Sequence, residues 1–173
     1  MKIIKEMYGL DLNDLIIKWA SDKDLIKREN ATKQYFKLIE EKGELFGAIL
    51  KNNRVKIIDA IGDLQVVKII LCKQLGIDYS DHTNKHSDFY NEVLILLDLD
   101  KILLIYNELI FRLLKIDDGN ITALDRSVLE VSIQTLRRIA EIHDTSLEEC
   151  LSSAYEEIKN RKGKTVNGSF IKD

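Results

Sequence analysis

The chain has 173 residues, 45% hydrophobic and 32% charged, with no proline, eight glycines and a formal net charge of −3. One domain of this length buries a substantial core without disulfide or metal staples, and the composition suits long helices joined by short turns. Acidic and basic residues are interspersed, which leaves no overall field favouring nucleic acid, and no uncharged stretch approaches a membrane span.

Met1 to Lys5 lacks the apolar core of a signal peptide, so the chain reads as cytoplasmic. The first predicted helix runs from Leu10 to Ala20, with Leu12, Leu15, Ile16 and Trp19 on one side and Asn13 or Asp11 as its cap. Trp19 reads as a core or interface residue, with stacking against a nucleobase as the alternative. A charged connector from Lys23 to Asn30 leads to a second helix, capped by Asn30 or Thr32 and running to about Lys51. At about 100° per residue, Glu40 and Glu44 lie roughly 40° apart and Glu41 roughly 60° from Glu44, so three carboxylates share a face. Tyr35, Leu38, Leu45, Phe46, Ile49 and Leu50 form the opposite, apolar one.

Asn52-Asn53 turns the chain, and so short a break makes the next helix antiparallel. From Val55 to Leu75 apolar residues are distributed all round, which marks a central, buried helix. Asp59 and Asp63 sit one turn apart on it, facing the glutamates. Buried carboxylates need partners, and these segments offer too few basic ones for five carboxylates. A divalent cation resolves this; oxygen ligands without histidine or thiolate favour Mg²⁺, with Mn²⁺ as the alternative, over zinc. The competing reading is that Glu-Glu-x-x-Glu is a solvated helix face.

Gly76 is a helix C-cap. Asp78 to Asp88 reads as an exposed loop, and His82 and His86, four apart but with no third ligand nearby, do not make a metal site there. Phe89 to Ile116 is one long apolar helix or two abutting ones, and its apolar sides imply burial within the domain or against a second subunit. Asp117-Asp118-Gly119-Asn120 is a turn, a helix follows from Leu124 to His143, and the capping box Ser146-x-x-Glu149 opens a last helix reaching about Asn160. Cys72 and Cys150 are too few and too scattered for a disulfide framework and rank low as nucleophiles in apolar settings. In the tail, about residues 160–173, Lys159, Arg161, Lys162 and Lys164 cluster around Gly163; by itself this reads as a frayed, solvated end.

Glu40-Glu41-x-x-Glu44 followed by Gly62-Asp63 on the next helix resembles the metal site of the all-α nucleoside triphosphate pyrophosphohydrolases. This MazG-like superfamily includes phosphoribosyl-ATP pyrophosphohydrolase and helical dUTPases. Trp19-Ala20 with Gln34-x-x-Lys37 resembles the lead-in of phage-type members, and Arg161-Lys162-Gly163-Lys164-x-x-Asn167-Gly168 resembles their basic C-terminal end. Residues 78–144 carry no motif of the family. The resemblance implies an all-α fold, a four-helix-bundle core with accessory helices, in a homodimer or tetramer. It implies Mg²⁺-dependent hydrolysis of a nucleoside or deoxynucleoside triphosphate to monophosphate and pyrophosphate by a metal-activated water. Glu41, Glu44, Asp59 and Asp63 would hold metal, and Glu40 would be a further ligand or, with Glu41, the catalytic group orienting the water. Gln34, Lys37, Lys159, Arg161 and Lys162 would bind the substrate, with Trp19 a weaker candidate for the base.

The chain departs from the family at one position, since the usual Glu-x-x-Asp is here Ala60-Ile61-Gly62-Asp63. Asp59 is expected to stand in for the missing glutamate, directly or through a water, because one step along the helix moves its direction from roughly 60° on one side of Asp63 to roughly 40° on the other. The alternative is that Asp59 merely caps or pairs with a lysine. Two other functions compete: a non-catalytic helical oligomeric or regulatory module, and the phosphoribosyl-ATP role. Base selection rests on pocket shape, which no motif reports.

Overall fold

Helices in this chain begin where a short polar side chain can take up an orphan backbone N–H. A computed structural model describes residues 11–83, 88–116 and 120–173. In it the Asp11 carboxylate accepts the Asp14 N–H at 3.0 Å and opens α1, Leu12–Asp22. A 3-10 turn, Arg28–Asn30, leads into α2, Ala31–Leu50. Asn53 accepts the Lys56 N–H to open α3, Arg54–Leu75, which closes on Gly76 at φ 71°, a left-handed cap that glycine adopts without strain. Then come α4, Ser80–Thr83, α5, Asp88–Ile95, and α6, Leu99–Leu113, the last capped by Asp98. Reciprocal capping boxes open both α7, Ala123–Ile142 (Thr122 with Asp125), and α8, Leu147–Ile158 (Ser146 with Glu149). The described residues are thus mostly helical.

Three expectations need correction. The tail is a hairpin rather than a frayed end: β1, Gly163–Val166, pairs antiparallel with β2, Ser169–Lys172. Asn167 and Gly168 both take positive φ at its turn, which is the local chemistry of a tight Asn-Gly hairpin. His82 is buried in α4 rather than exposed in a loop. The apolar stretch after residue 88 is two helices, one of the two expected alternatives, broken at residues 96–98; within the chain Ile102, Tyr106, Ile110 and Leu113 are buried while Leu96 and Leu104 are exposed. On α2 the buried stripe is Ala31, Gln34, Leu38, Glu41, Lys42, Leu45 and Ala48, whereas Leu50 lies outside. Glu41 therefore lies on the buried stripe while still lining one cavity together with Glu40 and Glu44. Residues 1–10, His86 and the turn residues Asp117, Asp118 and Gly119 lie outside the described residues.

The central place expected of α3 is observed, with buried residues on every side of it. It packs chiefly against α2 and α8, with α1 also on it, while α6 and α7 form a second pair that meets α2 through α6. Gly62 sets the approach of α8: a Cβ there would fall 2.4 Å from the Cys150 carbonyl oxygen and 2.8 Å from the Ala154 Cβ. In the other layer Lys68 is fully buried, its Nζ donating to the Ser132 carbonyl at 3.3 Å above the Tyr106 ring, and burial lowers its pKa to about 7. Among the described residues no helix is long and apolar enough to cross a membrane.

Candidate functional site

Because α3 returns along α2 after a three-residue break, side chains one turn apart on each helix line a common cleft. That cleft is a cavity of about 750 Å³, which α1, α8 and the hairpin also wall. All five predicted carboxylates, Glu40, Glu41, Glu44, Asp59 and Asp63, line it, as do Trp19, Gln34, Lys37 and Arg161. Lys159 and Lys162 do not: the Lys159 Nζ is 2.5 Å from Glu156, and Lys162 is exposed on the outside.

The carboxylates are better supplied with cations than their number suggested. Lys37 reaches Glu40 at 3.0 Å and Glu41 at 2.7 Å, and Lys56 reaches Asp59 at 3.0 Å. The signal was in the spacing, since Lys37-x-x-Glu40-Glu41 and Lys56-x-x-Asp59 are neighbours on a helix surface. Asp59 thus makes the lysine pair that was the alternative to a ligand role, while still facing the cavity. Glu44 and Asp63 have no ion pair or hydrogen bond among the described residues.

Two of the cavity's carboxyls are displaced from their ordinary titration. Burial, with the nearby charges of Glu41 and Asp59 adding to it, pushes Asp63 up to about 7, against a pull from Arg161. Burial also raises Glu41, although Lys37 opposes it, and Glu41 Oε2 is enclosed with no hydrogen-bond partner. Lys37 itself is raised: burial lowers it, but the contacts with Glu41 and Glu40 outweigh that.

Glu157 lines the candidate site but was missed in the sequence reading. It lines the cavity from α8, forms an ion pair with Arg161, and its charge is felt by both Asp63 and Lys56. Its only sequence signal was the four-residue spacing to Arg161. Phe170 was missed as well. It meets Trp19 edge to face at 5.5 Å and 66°, and Lys23 Nζ lies 5.7 Å from the centre of its ring. The Thr165 hydroxyl donates to the Lys23 carbonyl, and Gly168 sits so close to Asn30 and Lys33 that a Cβ there would meet Asn30 Oδ1 at 2.5 Å. These contacts seat the hairpin over α1 and the start of α2.

The donor set is all carboxylate oxygen, which suits a hard divalent cation, and one buried oxygen of Glu41 has no partner. Among the described residues, however, no three such groups are gathered as a metal-holding cluster. Lys37 and Lys56 already occupy Glu41 and Asp59. A cation would therefore gather Glu44, Asp63 and Glu41 at the expense of the Lys37 contact.

No family model and no solved structure matches the chain. It is 45% identical over 71 residues to the uncharacterized 18.2 kDa protein in the rep-hol intergenic region of Haemophilus phage HP1 (strain HP1c1). The match covers 39% of this chain and 44% of that protein, less than half the length of either.

Proposed function

We propose that the chain is a Mg²⁺-dependent nucleoside triphosphate pyrophosphohydrolase with the four-helix-bundle core of MazG-like proteins, acting in the cytoplasm as a homodimer or tetramer. The observation that carries this reading is the meeting of five carboxylates from α2 and α3 with Lys37 and Arg161 in one cavity. Glu44 and Asp63, which have no ion pair or hydrogen bond among the described residues, and Glu41 would hold the cation. When bound, Mg²⁺ supplies charge neutralisation at the phosphates and lowers the pKa of a water. Lys37, released from Glu41, and Arg161 would turn to the phosphate oxygens. Glu40, on the exposed rim beside them, would orient the water.

Incubation of the full chain with Mg²⁺ and a panel of nucleotides, with pyrophosphate detected, tests the reading. Phosphoribosyl-ATP belongs in that panel, as the substrate of the nearest competing enzyme role. Glu44→Ala is expected to lower the rate at least about 100-fold, as loss of a group acting in the transition state does, while leaving melting unchanged or raised. Full activity in that variant would sink the assignment. Mg²⁺ should also raise the melting temperature by an amount following RT ln(1 + [L]/Kd).

Deleting everything after Asn160 removes Arg161 and the hairpin. An increase in KM of about tenfold or more is expected, with helicity retained, because the lost segment carries few buried apolar residues. Unchanged kinetics would take the hairpin out of the site.

One observation favours a second reading, a non-catalytic helical assembly or regulatory module. Three of the five carboxylates already pair with two lysines of their own helices, Glu40 and Glu41 sharing Lys37 and Asp59 taking Lys56. On that reading Mg²⁺ leaves the melting temperature where it was.

A further inference from the structure

The cavity is not uniform along its length. Glu41 and Glu44 enter from the second half of α2 opposite Asp59 and Asp63 in the first half of α3, whereas further along α3 the lining becomes Val66, Val67 and Ile70. The hairpin closes this apolar end, with Phe170 against Trp19 and Gly168 against Asn30 and Lys33. Gln34 follows Lys33 directly, so its side chain is the buried polar group at this end, where Lys33, Ser169 and Lys172 also line the cavity, two turns and about 10 Å along α2 from Glu41.

Gln34 is only 6% exposed, lines the cavity, and makes no hydrogen bond with any described residue. Its amide atoms are not sealed off but open onto the cavity that Val66 and Ile70 also line, so a ligand entering there would replace solvent on an amide that no described residue engages. An amide offers one acceptor and a donor pair in a plane, which matches the paired donor and acceptor on the edge of a nucleobase, whereas a phosphate oxygen uses only the donors.

Resting on the function proposed above, we infer that the hairpin-closed end of the cavity is a nucleobase compartment in which Gln34 determines specificity. The Gln34 amide reads one edge of the base, while Val66, Ile70 and the Trp19–Phe170 pair cover its faces. The carboxylates and Arg161 are left to the phosphates. A site built to hydrogen-bond a ligand edge discriminates strongly, because the wrong edge leaves buried polar groups unmatched.

Trp19 is the single tryptophan of the chain and reports directly on this end. Nucleoside 5′-monophosphates of the different bases, titrated without metal into the full chain, should quench its fluorescence saturably, one base binding at least about tenfold more tightly than the others. In Gln34→Met, close in shape, quenching should persist while the preference collapses to about twofold or less. In Gln34→Glu, which exchanges the donor pair for an acceptor, the order of the bases should change. Equal affinities in the natural chain, a preference indifferent to both substitutions, or no quenching by any base would overturn the proposal. Monophosphates need no turnover, so the two readings fail separately. A Gln34-dependent preference without pyrophosphate release removes catalysis and keeps the compartment; hydrolysis whose base preference ignores Gln34 does the reverse.

Discussion

Asp63→Asn is expected to end Mg²⁺-dependent pyrophosphate release and to make the protein more stable at neutral and alkaline pH. Its carboxyl rises from an ordinary 3.8 to about 7 in the folded chain, first through burial and then through Glu41 and Asp59. The folded state therefore keeps a proton that the unfolded state has already lost between those values. Protonated Asp63 contributes stability fully below pH 3.8, and that contribution is lost as pH rises through about 7. Asparagine has the shape of the protonated form and no such slope. The melting-temperature gap between variant and natural chain should open from about pH 4, level off above about pH 7, and amount to at most about 4 kcal/mol at about 1.4 kcal/mol per pKa unit. Added Mg²⁺ should narrow the gap, since it stabilises only the ionised carboxylate. Thermal melts across pH with and without Mg²⁺ check this, and a gap that shrinks with rising pH would refute the environment assigned to Asp63.

Gly62→Ala should be the most damaging glycine-to-alanine change within the described helices. The added Cβ would lie 2.4 Å from the Cys150 carbonyl oxygen and 2.8 Å from the Ala154 Cβ, so α8 must move away from α3. Overpacking of this kind costs about 1–3 kcal/mol, and here the neighbour is backbone, which yields least. Alanine also gains about 1 kcal/mol over glycine in a helix interior, but this contact outweighs it. Gly43 and Gly47 on α2 provide the control, because a Cβ at either meets nothing within 4 Å. Alanine at those positions should stabilise, at up to about 1 kcal/mol each. At roughly 2–4 °C per kcal/mol for a chain of this size, differential scanning calorimetry resolves the opposite signs. Gly62→Ala should also impair catalysis, since displacing α8 carries Glu157 and Arg161 out of the cavity wall. A variant that melts like the natural chain would show that α3 and α8 do not touch at that residue.

What sequence determined here is what depends on residues within four positions of each other. Asp11, Asn53, Gly76 and the Ser146–Glu149 box set helix limits because capping is local. The all-round apolar pattern of α3 announced a central helix, and the short break after α2 brought its glutamates and the two aspartates of α3 to one cavity. Even the hairpin was locally encoded, in Asn167-Gly168, and was missed only because the basic residues around it suggest a solvated end. Tertiary structure decided the rest. Which side of α2 faces inward depends on α3 and on α6, whose Asn107 accepts from Lys42 at 2.7 Å, and this is why Glu41 and Gln34 are buried and Leu50 is not. Glu157, Arg161 and Phe170 reach the site from more than 90 residues beyond Asp63, and Asp63 titrates near neutrality through the neighbours that packing places around it. Burial and charge proximity are sums over whatever surrounds a group, so they acquire values only when distant segments meet.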